Sequence, residues 1–234
     1  MRIKIASYNI HKAIGLDRRR DPERILAVLR EIDADVVALQ EADRRFGARA
    51  AVLPLSAIAA LSPYKPVPLS IRADSIGWHG NALLVRRDIA IAEAHRVPLP
   101  TIEPRGAIAA DLTVAGQGMR VVGMHLDLSG LRRRQQVRAV LHHLAARGTA
   151  APTVLMGDFN EWSAAGCLRE FGHDWRVLAC GRSFPARRPL GQLDRVVVSR
   201  GWRVVSAGVH HSALAAVASD HLPVWACLDL AEPE

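Results

Sequence analysis

The order of apolar and polar residues near the start of the chain predicts a strand, a helix and a second strand. Residues 3–8 have the pattern of a strand that ends at Asn9, and residues 35–40 form a short apolar run typical of a strand buried on both faces. Between them, Asp21 is placed as a helix N-cap and Pro22 as the first helical residue, with apolar residues at helical spacing behind them.

The rest of the chain contains further segments with a strand-like pattern and one clear helix. Residues 131–147 carry apolar residues on one helical face, which predicts a long amphipathic helix. A turn at 116–118 joins two strands as a hairpin, whereas prolines interrupt any regular pattern between 43 and 78. The remaining predicted strands are 81–86, 107–114, 120–125, 153–156, 193–199, 203–209 and 223–230.

Many strands and about three helices favour packed sheets with helices outside them. No linker or compositional break divides the 234 residues, so we expect one domain, 1–234. Half of the residues are hydrophobic and 23% are charged, which is ordinary for a soluble globular protein.

Net charge and cysteine content indicate which substrates and which cellular compartment suit the protein. The net charge of +8 is compatible with an anionic substrate, although an arginine-rich composition also follows from genomic base content. Cys167, Cys180 and Cys227 are widely spaced and form no zinc or disulfide pattern, which favours a reducing compartment. We find no secretory segment and no apolar run long enough to cross a membrane, so we expect a cytoplasmic protein.

Polar residues follow or precede the predicted strands, where a rigid scaffold positions functional groups. Each of them alone has an ordinary explanation as a turn or capping residue. Taken together they contain what hydrolysis of a P–O bond requires: carboxylates for a hard divalent cation, a base for the attacking water and neutral amides. These residues are Asn9, Glu41, His125, Asp158, Asn160, Asp194, Asp220 and His221.

The same segments resemble the endonuclease/exonuclease/phosphatase superfamily, which includes DNase I-like nucleases. The resemblance covers nearly the whole chain in the superfamily's motif order. It implies a four-layer α/β/β/α sandwich, an α+β fold of two mostly antiparallel sheets flanked by helices. The matching segments are 8–11, 39–41, 80–84, 124–126, 157–160, 193–195 and 219–223.

The resemblance implies a site for Mg²⁺ or Mn²⁺. Glu41 would be the principal metal ligand, with Asn9 beside it and Asp220 nearby. Asp158 is the remaining candidate ligand, and it would also position or deprotonate the attacking water.

The resemblance also implies roles at the phosphate. His221 would contact the scissile phosphate and be oriented by Asp194. Asn160 would bond a phosphate oxygen, and His125 would stabilise the transition state or assist the leaving group. Arg105, in segment 103–106, stands where some members carry a phosphate-binding arginine.

One departure concerns a tyrosine that many nucleases of this superfamily place near the phosphate. The matching stretch here is Gly77-Trp78-His79-Gly80-Asn81. His79 is either a substitute donor to the substrate or a neighbouring surface group. The sequence leaves both open.

The leading hypothesis is therefore a metal-dependent hydrolase of phosphodiesters or phosphomonoesters, with nucleic acid, a phospholipid or another small phosphoester as substrate. A slight preference goes to diesters. The alternative is a non-catalytic module that kept the fold and binds anions or nucleic acid. No obligate protein partner is evident. We expect Arg132, Arg133 and Arg134 either to contact an anion or to form a solvated helix face.

Overall fold

Two six-stranded sheets form the centre of the protein in the computed structural model, which describes residues 1–44, 50–72, 74–101, 105–147 and 151–230. In chain order the strands are β1 (Arg2–Asn9), β2 (Val36–Gln40), β3 (Tyr64–Pro66), β4 (Ala82–Arg86), β5 (Ala90–Val97), β6 (Ala107–Val114), β7 (Gln117–His125), β8 (Thr153–Asp158), β9 (Trp175–Val177), β10 (Asp194–Ser199), β11 (Trp202–Val209) and β12 (Val224–Leu230). The α-helices are α1 (Pro22–Ile32), α2 (Leu55–Leu61), α3 (Gly130–Ala146) and α4 (Ala215–Ala218), and two 3-10 helices span His11–Ala13 and Gly166–Asp174.

The two sheets have related pairing patterns. The first has the order β11-β12-β1-β2-β4-β3 and the second the order β5-β6-β7-β8-β10-β9. Only the central pairs β1–β2 and β7–β8 are parallel among the described strands, and the other pairs are antiparallel. The prediction of two mostly antiparallel sheets is confirmed.

Three apolar cores define the layers. The first lies between the sheets, where Ile5 and Ala38 of one sheet share a core with Val121 and Met156 of the other. The second joins the outer face of the first sheet to α1, α2 and α4, and the third joins the outer face of the second sheet to α3. Helices therefore cover both sheets, which confirms the predicted four-layer α/β/β/α sandwich.

Local signals in the sequence explain where α1 begins. The Asp21 carboxylate accepts a 3.0 Å bond from the Arg24 amide, and Pro22 is the first helical residue, where its missing N–H removes no hydrogen bond. The helix ends at Asp33, which has left-handed backbone angles. None of the helices among the described residues has the length and apolar composition needed to cross a membrane.

Two details differ from the predictions. The hairpin between β6 and β7 turns at Ala115 and Gly116, both with positive φ, and Gln117 already belongs to β7. The arginine cluster at the start of α3 is not a uniformly solvated face, because Arg133 is buried and pairs with Glu161. The buried carboxylate supplies the charge that makes burial of this guanidinium tolerable.

Candidate active site

Strand register places the predicted site residues side by side. In the second sheet, Asp158 of β8 pairs with His125 of β7 on one side and with Asp194 of β10 on the other. In the first sheet, Asn9 of β1 pairs with Gln40 of β2, so that Glu41 follows at the same end. Neighbouring strands thus bring together residues that are far apart in the chain.

Asp158 connects the two sheets. Its Oδ2 atom accepts a 3.0 Å hydrogen bond from Asn9 Nδ2 and lies 3.4 Å from His125 Nε2 and 3.8 Å from His221 Nε2. Its Oδ1 atom accepts the backbone N–H of Asn160 at 2.9 Å. A nearly buried carboxylate therefore lies between two imidazoles and an amide.

His221 is held by a buried carboxylate. Its Nδ1–H donates to Asp194 Oδ2 at 2.8 Å, and the Ser183 hydroxyl donates to the same oxygen at 2.5 Å. Burial lowers the pKa of His221, but Asp194, with weaker contributions from the other nearby carboxylates, outweighs it and raises the pKa to about 10. His221 is therefore an imidazolium at neutral pH.

His125 has the opposite charge state. Burial is the main cause that lowers its pKa to about 4, and the positive charge of Arg105 acts in the same direction. The nearby Asp158 carboxylate raises the pKa without overcoming burial. The site thus contains one neutral histidine, which can accept a proton, and one protonated histidine, which can donate one.

Glu41 forms an ion pair with Lys12, which was not among the predicted site residues. Burial raises the pKa of Glu41, but the hydrogen bond from Lys12, together with the Lys12 charge, leaves it below its ordinary value. Glu41 is therefore a carboxylate at neutral pH, as a metal ligand must be.

Backbone strain accompanies this pair. Glu41 has a φ of 55°, and His11, Lys12 and Ala13 have φ values of 44°, 57° and 59°. Left-handed conformations cost L-residues roughly 1–2 kcal/mol each. Four such residues around one carboxylate indicate a geometry that the surrounding structure enforces, which is typical of functional sites.

Asp220 lies at the edge of this group. Its carboxylate is 36% exposed and lies 3.8 Å from His11 Nδ1, while the Asn9 amide oxygen accepts the backbone N–H of His11 at 3.1 Å. His11 thus connects Asp220 to Asn9. The carboxylate also contributes to the raised pKa of His221.

Asn160 and Arg105 share one acceptor. Asn160 Nδ2 and Arg105 Nη1 donate to the carbonyl oxygen of Leu126 at 2.9 and 2.6 Å. Leu126 follows His125, so both donors lie next to the second histidine. Residues 103 and 104 of the predicted arginine segment lie outside the described residues.

His79 lies in the turn that covers Glu41. The backbone N–H of Ala42, the residue after Glu41, donates to the carbonyl of Gly80 at 2.8 Å. The His79 ring packs edge-on against Trp78 at a centroid distance of 4.2 Å. Its position beside the site is compatible with a substrate contact, which stays a prediction.

Lys12 and Ser183 are the contributors that sequence reasoning missed. Lys12 follows the matched segment 8–11 directly, and it is one of only three lysines among 31 basic residues, a signal that was available. Ser183 gives no such signal, because a lone serine before Phe184 has no distinctive spacing.

The site offers the hard oxygen donors that Mg²⁺ or Mn²⁺ prefers, namely Glu41, Asn9, Asp158 and Asp220. The Lys12 ammonium against Glu41 is a stand-in cation, which shows that this carboxylate is built to face positive charge. A second group of possible ligands, Glu93, His95 and Asp111, lies apart on β5 and β6. Arg147 already lies within ion-pair distance of both of its carboxylates.

Sequence comparison agrees with this geometry. The model of the Endonuclease/Exonuclease/phosphatase family matches residues 6–221, a span that contains every site residue named above. The chain belongs to this family. It is accordingly a phosphoesterase-type hydrolase. No curated protein sequence matches the chain.

Solved structures share the fold. An endonuclease/exonuclease/phosphatase from Bacteroides vulgatus has a TM-score of 0.79 at 18% identity, covering 98% of this chain and 99% of its own. The mannosyl-6-phosphatase of Bacteroides thetaiotaomicron has a TM-score of 0.78 at 19% identity, covering 97% and 100%. TDP2 of D. rerio, in complex with a single-stranded DNA product, has a TM-score of 0.76 at 16% identity, covering 97% and 99%.

Proposed function

We propose that residues 1–234 form one divalent-metal-dependent phosphoesterase domain that hydrolyses a phosphodiester with an activated water. The observation that carries the proposal is the position of Asp158, whose Oδ2 atom lies within 3.8 Å of polar side-chain atoms of Asn9, His125 and His221. Three unpaired cysteines support a cytoplasmic location.

Glu41 would hold Mg²⁺ or Mn²⁺, with Asn9, Asp158 and Asp220 as further oxygen ligands. When bound, such a cation neutralises the phosphate and polarises the P–O bond. Glu41 suits this role because its carboxylate is ionised and 25% exposed.

The other side chains act on protons and on the phosphate oxygens. Asp158 would orient the attacking water and accept its proton. His221, as an imidazolium held by Asp194, would donate a hydrogen bond to the scissile phosphate. The neutral His125 lies on the other side of Asp158, where it would stabilise the transition state or assist the leaving group. No step requires a covalent enzyme intermediate.

Three donors would bind the substrate. Asn160 retains a second amide hydrogen beyond its bond to Leu126, and this hydrogen is available to a phosphate oxygen. Arg105 and His79 would contact the phosphate or the group next to it. The net charge of +8 favours nucleic acid among diesters, and phospholipids and small phosphoesters are the competing substrates. Neighbours of the same fold include a sugar-phosphate phosphatase and a protein with a DNA product.

The test measures turnover of four substrates: a chromogenic bis-aryl phosphate diester, a chromogenic monoester, DNA and lipid vesicles. Each is assayed with Mg²⁺ or Mn²⁺, in the presence and in the absence of a chelator. We expect chelator-sensitive turnover that Glu41→Gln and His221→Ala each abolish while both variants remain folded by circular dichroism. Full turnover by either variant would remove the role assigned to that residue. No chelator-sensitive turnover on any of the four substrates would favour the anion-binding module instead.

A further inference from the structure

Lys12 is the basic residue that contacts the principal metal-ligand candidate. Its ammonium is paired with Glu41 Oε2, and both side chains are only about a quarter exposed, at 27% and 25%. The four predicted metal ligands and the two histidines account for the roles of the site without it. Its function therefore needs a separate explanation.

The backbone around Lys12 fixes the direction of the side chain. The three left-handed residues His11, Lys12 and Ala13 form a single turn, with Ala13 N–H bonded to Ile10 at 2.7 Å. The Lys12 carbonyl oxygen accepts a 3.2 Å bond from Arg20 Nε. A strained turn with these hydrogen bonds holds the lysine stem toward Glu41, while the ammonium itself remains on a flexible four-carbon chain.

The choice of lysine at this position is informative. The chain contains 31 lysines and arginines, and Lys4, Lys12 and Lys65 are the only lysines. An arginine fork would bind the Glu41 carboxylate with two parallel hydrogen bonds, whereas an ammonium is a point charge without that geometric match. In this arginine-rich chain, the partner of Glu41 is therefore a lysine ammonium, which is more easily displaced than an arginine guanidinium would be.

We propose that Lys12 is a displaceable counter-ion of Glu41, which neutralises the carboxylate until a divalent cation binds there and then turns to the substrate phosphate. This inference rests on the proposed function, because it takes Glu41 to be a metal ligand. It makes Lys12 a regulator of metal affinity and a contributor to phosphate binding.

Electrostatics predicts how Lys12 changes the affinity for the divalent cation and the affinity for phosphate. A divalent cation on Glu41 places like charges within a few ångströms of the ammonium and takes away its partner, so the two cations compete for one carboxylate. A displaced ammonium in the same cleft is then attracted by the anionic phosphate that the cation also binds. Removing Lys12 should therefore strengthen metal binding and weaken phosphate binding.

The experiment compares Mn²⁺ binding, measured by calorimetry, in wild type, Lys12→Met and Lys12→Arg. We expect Lys12→Met to bind Mn²⁺ about tenfold more tightly than wild type, and Lys12→Arg to bind it more weakly, because the fork holds Glu41 better. Inorganic phosphate should bind the Mn²⁺-loaded Lys12→Met protein about tenfold more weakly than wild type. Lys65→Met is the matched control, since the Lys65 ammonium donates to the Arg87 carbonyl oxygen at 2.9 Å instead of pairing with a site carboxylate.

The outcomes separate this inference from the proposed function. If wild type binds no Mn²⁺, or Glu41→Gln binds it equally well, the metal site itself is wrong. If wild type binds Mn²⁺ through Glu41 but Lys12→Met binds it no more tightly, the counter-ion role is wrong. Unchanged phosphate affinity in Lys12→Met would overturn the second part alone. Lys12→Gln repeats the test in case the methionine variant folds poorly.

Discussion

His221 Nδ1 lies 2.8 Å from Asp194 Oδ2, and their side chains are 6% and 0% exposed. Because a carboxylate only accepts hydrogen bonds, it fixes the ring with Nδ1–H toward Asp194 and Nε2 toward Asp158, 3.8 Å away. The Phe184 ring packs against the imidazole at 4.7 Å between centroids. Asp194 therefore acts through His221 and is a positioning residue.

Asp194→Asn should lower turnover by about 10³–10⁴-fold, since an amide neither stabilises the imidazolium nor fixes its orientation. NMR titration should show a lower pKa for His221 in the variant. Asp174→Asn is the control, because Asp174 forms an exposed pair with Arg200. Wild-type turnover in Asp194→Asn, with an unshifted His221 pKa, would contradict the positioning role.

The two histidines should make the free energy of unfolding of the metal-free protein depend on pH in opposite directions. The folded pKa of His125 is lowered to about 4, so its contribution is lost as pH falls from about 6.5, the unfolded value, through 4. The folded pKa of His221 is raised to about 10, so its contribution is present below about 6.5 and lost as pH rises through 10.

Urea unfolding in the presence of chelator, from pH 4 to pH 10, measures both pH dependences. Relative to wild type, His125→Ala should no longer lose stability as pH falls below about 6.5 but should still lose it toward pH 10. His221→Ala should still lose stability at acidic pH but no longer toward pH 10. A variant whose free energy of unfolding keeps the wild-type pH dependence would show that its histidine has an unperturbed pKa.

Much of the fold was predictable because buried segments have strong patterns. Strand β2 is buried at every position, and its unbroken apolar run predicted it. Edge strand β11 was predicted, but the other three edge strands, β3, β5 and β9, were missed for the opposite reason. Strand β5 is mostly exposed and lacks alternation, whereas β3 and β9 are short and β3 contains Pro66. Edge strands keep polar residues and proline because they pair on one side only.

The candidate site was predictable only as a set of residue types. Motif order brought Asp158 and His221 into one hypothesis, although sequence gives no distance between them. Lys12 was missed because its role depends on a left-handed turn, and lysine itself does not predict that conformation. Arg133 was assigned to an anion contact or a solvated face because its partner Glu161 lies 28 residues away.

The buried pair Arg133–Glu161 should be important for stability. Its side chains are 9% and 4% exposed, and Glu161 also accepts the backbone N–H groups of Ser163 and Cys167 at 2.9 Å. Burial raises the pKa of Glu161, but these bonds and the Arg133 charge outweigh it and lower the pKa. The stabilisation is therefore present above the unfolded pKa and lost as pH falls through the folded one.

Glu161→Gln should lower the free energy of unfolding by about 3–5 kcal/mol at neutral pH, because it leaves a buried guanidinium without its counter-charge. Glu170→Gln is the matched control, since Glu170 pairs with the exposed Arg138, which lies on α3 like Arg133, and it should cost about 0–1 kcal/mol. Equal losses in urea unfolding would mean that burial does not distinguish the two pairs.

Gly157 should be essential to the position of Asp158. A Cβ atom on Gly157 would lie 1.9 Å from the carbonyl oxygen of Met124 on the adjacent strand, a backbone atom that cannot rotate away. Gly157→Ala should therefore push β8 from β7, costing about 1–3 kcal/mol or more and displacing the carboxylate that follows it. Gly118→Ala, which meets nothing within 4 Å, should change stability by less than about 0.5 kcal/mol. Thermal melting and turnover of the two variants measure the losses of stability and activity. A Gly157→Ala protein that melts and turns over like wild type would show that β7 and β8 can separate without moving Asp158.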